Sequence, residues 1–244
     1  MRLRLILLCL LAFPLTAFAD SYYLPIAGSV GNFRTDVRIF NPSTTDSNVT
    51  LVFIPVGNQN SSATFANGVQ KVIPKGTGVV YDDAVASIFG KTGLGAIYIS
   101  ADTVLLATSR IYAQTASGTL GQGFRALRTG NLLLQGVLIQ LRADASFRTN
   151  IGVANLQNTP AHVTWFLFDR NDNLVSQKSM TIQNFEIIGP TSITSGFFFD
   201  SGNADLSDCH VAFVSDVGLG VYGSVVDNGT TDPTYFAAMD PSGF

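Results

Sequence analysis

The chain has 244 residues, of which 46% are hydrophobic, 11% aromatic and only 13% charged, with a formal net charge of -3 and a mean hydropathy of +0.30. So little charge on so apolar a chain excludes a disordered acidic or basic tail protein. The slightly negative balance leaves no electrostatic footprint for nucleic acid or for an anionic membrane.

Residues 1–19 have the layout of a secretory signal peptide. Arg2 and Arg4 lead, an apolar run starts at Leu5, and Ala17 and Ala19 stand at the −3 and −1 positions of a cut before Asp20. A membrane anchor is the alternative, but the run is short for a span and Pro14 interrupts it. The expectation is a secreted, periplasmic or cell-surface protein with no membrane span after cleavage. Cys9 leaves with the signal, so Cys209 is the one mature cysteine and no intramolecular disulfide can form. His210 to Val214 beside it read as core strand, and the thiol as a small buried hydrophobe.

The next elements read as β. Strands are expected over 37–40 and 49–54, the second followed by turn chemistry at 55–60. Another lies at 78–81. The helical signal is 82–90, with an Asp N-cap and a terminal Gly. Strands follow at 96–100 and 105–112. Beyond a join near 125–130, further strands are expected at 136–141, 151–154, 163–168, 211–215 and 219–226, with a turn at 169–173.

Sliding the chain on itself by 114 residues exposes a repeat. Phe33, Arg34, Thr35, Asn41, Thr45, Val49 and Thr50 recur without a gap as Phe147, Arg148, Thr149, Asn155, Thr159, Val163 and Thr164. The expected organisation is a signal peptide (1–19), a first module (20–127) and a second that repeats it (128–244). Each module is of ordinary domain size. The expected fold is all-β, two tandem Ig-like β-sandwich modules with a short helix in the first.

The stretch from Phe33-Arg34-Thr35-Asp36 to Asn41-Pro42, the Asp-capped helix, Ser109 to Tyr112 and the closing 225–233 segment together resemble tandem β-sandwich modules of secreted bacterial proteins. The resemblance covers most of the mature chain. It implies fold and compartment and carries over no activity and no site residue. Asn155-Leu156 departs from the Asn-Pro of the first module.

Catalytic chemistry is sparse. Glu186 is the only glutamate, His162 and His210 are the only histidines, and no Gly-x-Ser-x-Gly elbow occurs. Gly218, Gly220 and Gly223 satisfy G-x-G-x-x-G, but strand rather than helix follows, so close strand approach is the better reading. Gly90-Lys91-Thr92 ends like a phosphate loop, yet Val85 stands where that loop needs glycine. The oxygen-rich loops offer weak calcium candidates: Asp169, Asn171 and Asn173 in one, Asp200, Asp205 and Asp208 in the other. Leu174 and Met180 occupy the glycine and glutamate places of an EF-hand loop, so polar turns are the plainer reading. No other cofactor is expected.

Arg34 and Arg148 recur at one place in both modules, where a guanidinium that caps carbonyls or pairs with a carboxylate competes with a ligand-facing one. Phe197 to Phe199 form either core or a contact patch. The leading expectation is a non-enzymatic secreted protein for binding or for cell-surface or extracellular assembly, its partner a protein or a glycan. A carbohydrate-binding module is the alternative, with Tyr22, Tyr23, Trp165 and Tyr235 as its platform. An outer-membrane barrel, invited by Phe244, ranks lower because the residues before Phe244 lack barrel alternation, and a hydrolase because no catalytic constellation is found.

Overall fold

The computed structural model describes residues 20–243, so the signal peptide expected over 1–19, with Cys9, and the terminal Phe244 lie outside the described residues. The first half runs β1 (Asp20–Ser29), β2 (Phe33–Phe40), β3 (Ser47–Pro55), α1 (Ser62–Ala66), β4 (Val69–Ile73), β5 (Gly78–Tyr81), α2 (Ala84–Phe89), β6 (Gly93–Ala101), β7 (Leu106–Thr115), β8 (Gly118–Arg125) and β9 (Leu127–Arg128). Its strands form two antiparallel sheets, ordered β4-β3-β6-β1-β9 and β5-β2-β7-β8. The second half runs β10 (Leu133–Ala143), β11 (Phe147–Ala154), β12 (Ala161–Phe168), β13 (Leu174–Ile182), β14 (Ile187–Ser192), β15 (Leu206–Asp227) and β16 (Pro233–Ala237).

β15 serves two sheets. Its first part lies between β12 and β10, and its second part between β11 and β16. The protein is all-β, built of β-sandwiches that are Ig-like in their stacked antiparallel sheets, with a strand order of its own that sets β2 between β5 and β7.

The two halves use one pairing scheme in one register. Val49 faces Ala101 as Val163 faces Ser215, and Phe33 faces Ala113 as Phe147 faces Asp227. The residues that repeat identically explain why. Thr35 Oγ1 accepts from Gly28 N–H at 2.7 Å and donates to its carbonyl, and Thr149 does the same for Arg142. These backbone groups lie near the irregular stretches of β1 and β10, where a ladder partner is missing. Asn41 donates its side-chain amide to the carbonyls of Thr45 and Ile73, and Asn155 to those of Thr159, Ile182 and Gln183. All four side chains are fully buried.

The structure departs from the sequence reading in identifiable ways. β15 is one strand of 22 residues where two were expected, because Asp216 to Gly218 stay extended. β1, β4, β8, the short β9, β13, β14, β16 and the helix α1 lie outside the segments expected as strand or helix. The helix expected at 82–90 is α2, ended as expected by Gly90 in the left-handed region with its N–H on the Ala86 carbonyl. Asp83 does not cap it in the expected manner. Its φ is 44° and its carboxylate instead accepts from Ser29 Oγ and pairs with Arg34.

Each half packs a core between its sheets. Leu24, Ile39, Leu51, Phe53 and Ile97 fill the first; Leu138, Trp165, Leu167, Phe198 and Phe213 fill the second. A third cluster joins the halves. Tyr23, Val52, Ile54 and Ala96, on the outer face of the β3-β6-β1 sheet, bury against Ala154, Leu156 and Ile187. The joint also carries a two-bond bridge between Gly57 and Ile187 and a hydrogen bond from Ser224 Oγ to Gln122 Oε1. Gly220 lies against the hydroxyl end of the Tyr23 ring, where a side chain on residue 220 would collide with it.

Candidate functional site

The titratable groups singled out in the sequence are held by architecture. His162 Nδ1 lies 2.8 Å from Asp216 Oδ2, and its backbone N–H donates to Asp216 Oδ1 at 2.7 Å. The first half has the same clamp, in which the side chain and N–H of Asn48 donate to Asp102. Glu186 Oε2 accepts from the Gln183 N–H at 2.6 Å. Cys209 is buried among apolar side chains, and that burial, with the charge of Asp208 beside it, pushes its thiol up to about 12. A thiol so raised stays protonated and unreactive at neutral pH. His210 stacks on Phe168 with ring centroids 4.7 Å apart, and its Nδ1 lies 3.8 Å from Asp172.

Among the described residues, no three His, Cys, Asp or Glu side chains converge where they could hold a metal ion. The two loops proposed for calcium do lie at one end of the second half, since the charges of Arg170 and Asp169 act on Asp205. Within them the carboxylates are engaged in turns. Asp169 Oδ1 accepts from the N–H groups of Asn171 and Asn173, Asp169 Oδ2 accepts from the Asn173 side chain, and Asp205 Oδ1 accepts from the Ser207 N–H. Asp200 and Asp208 are exposed on the same stretch.

The recurring arginines differ. Arg34 donates to the Gly31 and Phe33 carbonyls and pairs with Asp83 at 3.2 Å, which is an architectural role. Arg148 donates to Asn228 Oδ1 and lines a cleft of about 370 Å³ between the halves, with Phe33, Pro190 and Val226 as apolar wall and Asn150 as a second polar group.

The aromatic platform expected of a carbohydrate-binding module is not at the surface. Trp165 is 0% exposed and packs on Phe198 and Phe213, Tyr22 belongs to the first core, and Tyr23 lies in the joint. Tyr235 is half-buried between Phe124 and Tyr222. The reading of those four residues as a sugar-stacking row is therefore wrong; each ring fills space between sheets or between halves. Of the phenylalanine triplet, Phe198 and Phe199 are core and Phe197 is exposed.

What the sequence reading missed is an apolar outer face. In the β13-β12-β15-β10 sheet the core takes Val163, Trp165, Leu167, Val211 and Phe213. The opposite parity, Phe166 and Phe168 on β12, His210, Ala212 and Val214 on β15, and Val137 on β10, points outward. Val214 is 54% exposed and the other five are half-buried, and none of the six belongs to a buried cluster among the described residues. The signal was present: residues 163–168 are apolar at both parities apart from Thr164, where a half-solvated strand should alternate.

A second apolar patch lies on the first half. Phe40 faces Leu106 on one side and Gly78 on the other. With Val80 they line a shallow basin of about 320 Å³ on the outer face of β5, β2 and β7. Val80 and Leu106 are 62% and 61% exposed.

No protein-family model and no curated protein matches the chain. Among solved structures it is similar to two glycosyl hydrolase family 2 members from Bacteroides cellulosilyticus, at 11% identity to each and TM-scores of 0.21 and 0.20. The overlap takes in 90% of this chain and 26% and 28% of those chains, so the chain spans about a quarter of their length. Likeness at that level carries no statement about activity.

Proposed function

We propose that this chain is a secreted, non-enzymatic β-sandwich protein that works by surface contact, in binding or in extracellular assembly. The observation that carries the reading is the apolar outer face of the β13-β12-β15-β10 sheet. An aliphatic and aromatic surface of that kind, only partly covered by the described residues, costs solubility unless a partner removes the rest from water. The engagement of His162, Asp216, Glu186 and Cys209 in clamps, turns and core supports the non-enzymatic part. The layout of residues 1–19 supports export, and amino-terminal sequencing of the exported protein is expected to begin at Asp20.

The test is direct. The purified exported protein is incubated with soluble polysaccharides and with an unfolded polypeptide, and new reducing ends and new amino termini are counted. Neither is expected to rise above the buffer control. Release of either product in proportion to protein concentration overturns the non-enzymatic reading.

A further inference from the structure

The joint between the halves, combined with the repeat, specifies a partner for the half-buried apolar face of the second half and the exposed patch of the first. In the joint, the outer face of the first half's β3-β6-β1 sheet is the socket, presenting Tyr23, Val52, Ile54 and Ala96. The plug is the corner of the second half where β11, β14 and β15 meet, presenting Ala154, Leu156, Ile187 and Gly220. Moving the socket forward by the 114-residue repeat converts it to Val137, Phe166, Phe168 and His210. Those residues form the apolar outer face of the second half. Moving the plug backward converts Ala154, Leu156 and Gly220 to Phe40, Pro42 and Leu106. Ile187 becomes Gly78, because Ile187 faces Ala154 as Gly78 faces Phe40. Of these, Phe40, Gly78 and Leu106, with Val80 beside them, line the exposed patch of the first half.

Each copy therefore carries one socket and one plug that no described residue fills, and they are the repeat equivalents of a socket and plug that fit each other within the chain. We infer that copies of this chain associate head to tail, the Phe40–Val80–Leu106 corner of one copy seating on the Val137–Phe166–Phe168 face of the next. The contact is heterologous, and in the proposed assembly it propagates from copy to copy as an open chain rather than closing into a ring.

The substitutions across the repeat fit this pairing. Within the chain the hydroxyl end of the Tyr23 ring lies against a residue with no side chain, Gly220. Between copies the equivalent pair is Val137 and Leu106, which divides the same volume more evenly. At the edge of the plug Arg38 is held by Asp82 at 2.7 Å and lies 3.9 Å from Asp36, so the patch brings its own counter-charges and the contact rests on its apolar residues.

This inference rests on the reading of the chain as a contact protein, and its test is separate from the turnover assay. Sedimentation velocity of the exported protein from low micromolar to near-millimolar concentration is expected to show a mass that keeps rising without a plateau. Phe166→Glu, which spoils the socket, and Phe40→Glu, which spoils the plug, are each expected to stay monomeric. An equal mixture of the two is expected to form a one-to-one dimer that grows no further, because it holds one intact plug in one intact socket and has a spoiled site at each end. Native thermal unfolding is checked for both, and Val137→Glu and Leu106→Glu replace any variant that does not fold.

A wild-type protein that stays monomeric throughout overturns the proposal. So does a plateau at a closed dimer, and so do variants that assemble like wild type. Failure here with no turnover removes only the self-assembly, whereas turnover removes the reading beneath it.

Discussion

Asn155 shows why the repeated residues are repeated. Its buried amide donates to three carbonyls, of Thr159, Ile182 and Gln183, that the strand ladders leave open. Asn155→Ala is expected to lower stability by about 2–3 kcal/mol, measured by urea unfolding, because buried acceptors lose their donor. Cys209 provides a second test at this scale. With its thiol pushed up to about 12 by burial, it is expected to resist alkylation at pH 8 in the native protein and to react fully in denaturant. Native labelling at the denatured rate would mean that β15 opens locally. The identity of these residues was legible in the sequence, as was the buried thiol. Their work was not, because an asparagine that closes a turn and one that binds a ligand look alike until the carbonyls around it are placed.

Among the elements, the clamps at the starts of β3 and β12 make a pH-dependent contribution. Hydrogen bonds from the His162 ring and then its backbone hold the Asp216 carboxyl below its usual value. For Asp102 desolvation is the largest single influence and works upward, but the side-chain and backbone bonds from Asn48 and the bond from Ser47 together outweigh it and hold it low. A carboxyl lowered by folding binds fewer protons in the native than in the unfolded state. Its contribution is therefore full above the unfolded value of about 3.8 and is lost as pH falls through the lower native value. The thermal midpoint is expected to drop on acidification below about pH 4, and Asp102→Asn with Asp216→Asn to flatten that slope. An unchanged slope would assign the acid limb to other carboxylates. Both clamped aspartates end runs that read as strand, yet nothing local marks them as partners of residues 54 positions earlier.

On the scale of the whole molecule, the decisive contact is the joint. Gly220→Val is expected to destabilise the protein by about 1–3 kcal/mol by driving a side chain into the Tyr23 ring, and adding Tyr23→Ala is expected to cost less than the sum of the two changes. Full additivity would mean that the ring and Gly220 do not share their space. The motif that looked like a dinucleotide loop is thus explained by packing: Gly218 lies against Leu132 and Gly220 against Tyr23. The aromatic residues read as a sugar platform are explained the same way, as filling for the two cores and the joint.

Strand-forming character, the repeat and its register, the short α2 and the poverty of catalytic groups are all readable from the residues alone. Those properties are local, set by side-chain branching, turn residues and the residue types present, and a 114-residue shift needs no coordinates to be seen. Only the tertiary structure decided which apolar residues remain at the surface. Trp165 and Phe166 are neighbours of similar character, and one lies in the core while the other faces outward. Parity along a strand says that they point to opposite faces, but which face is covered depends on the sheet packed against it, and that is a long-range fact. The same holds for the halves: one outer face is buried because the chain folds back onto it, and its repeat equivalent is not.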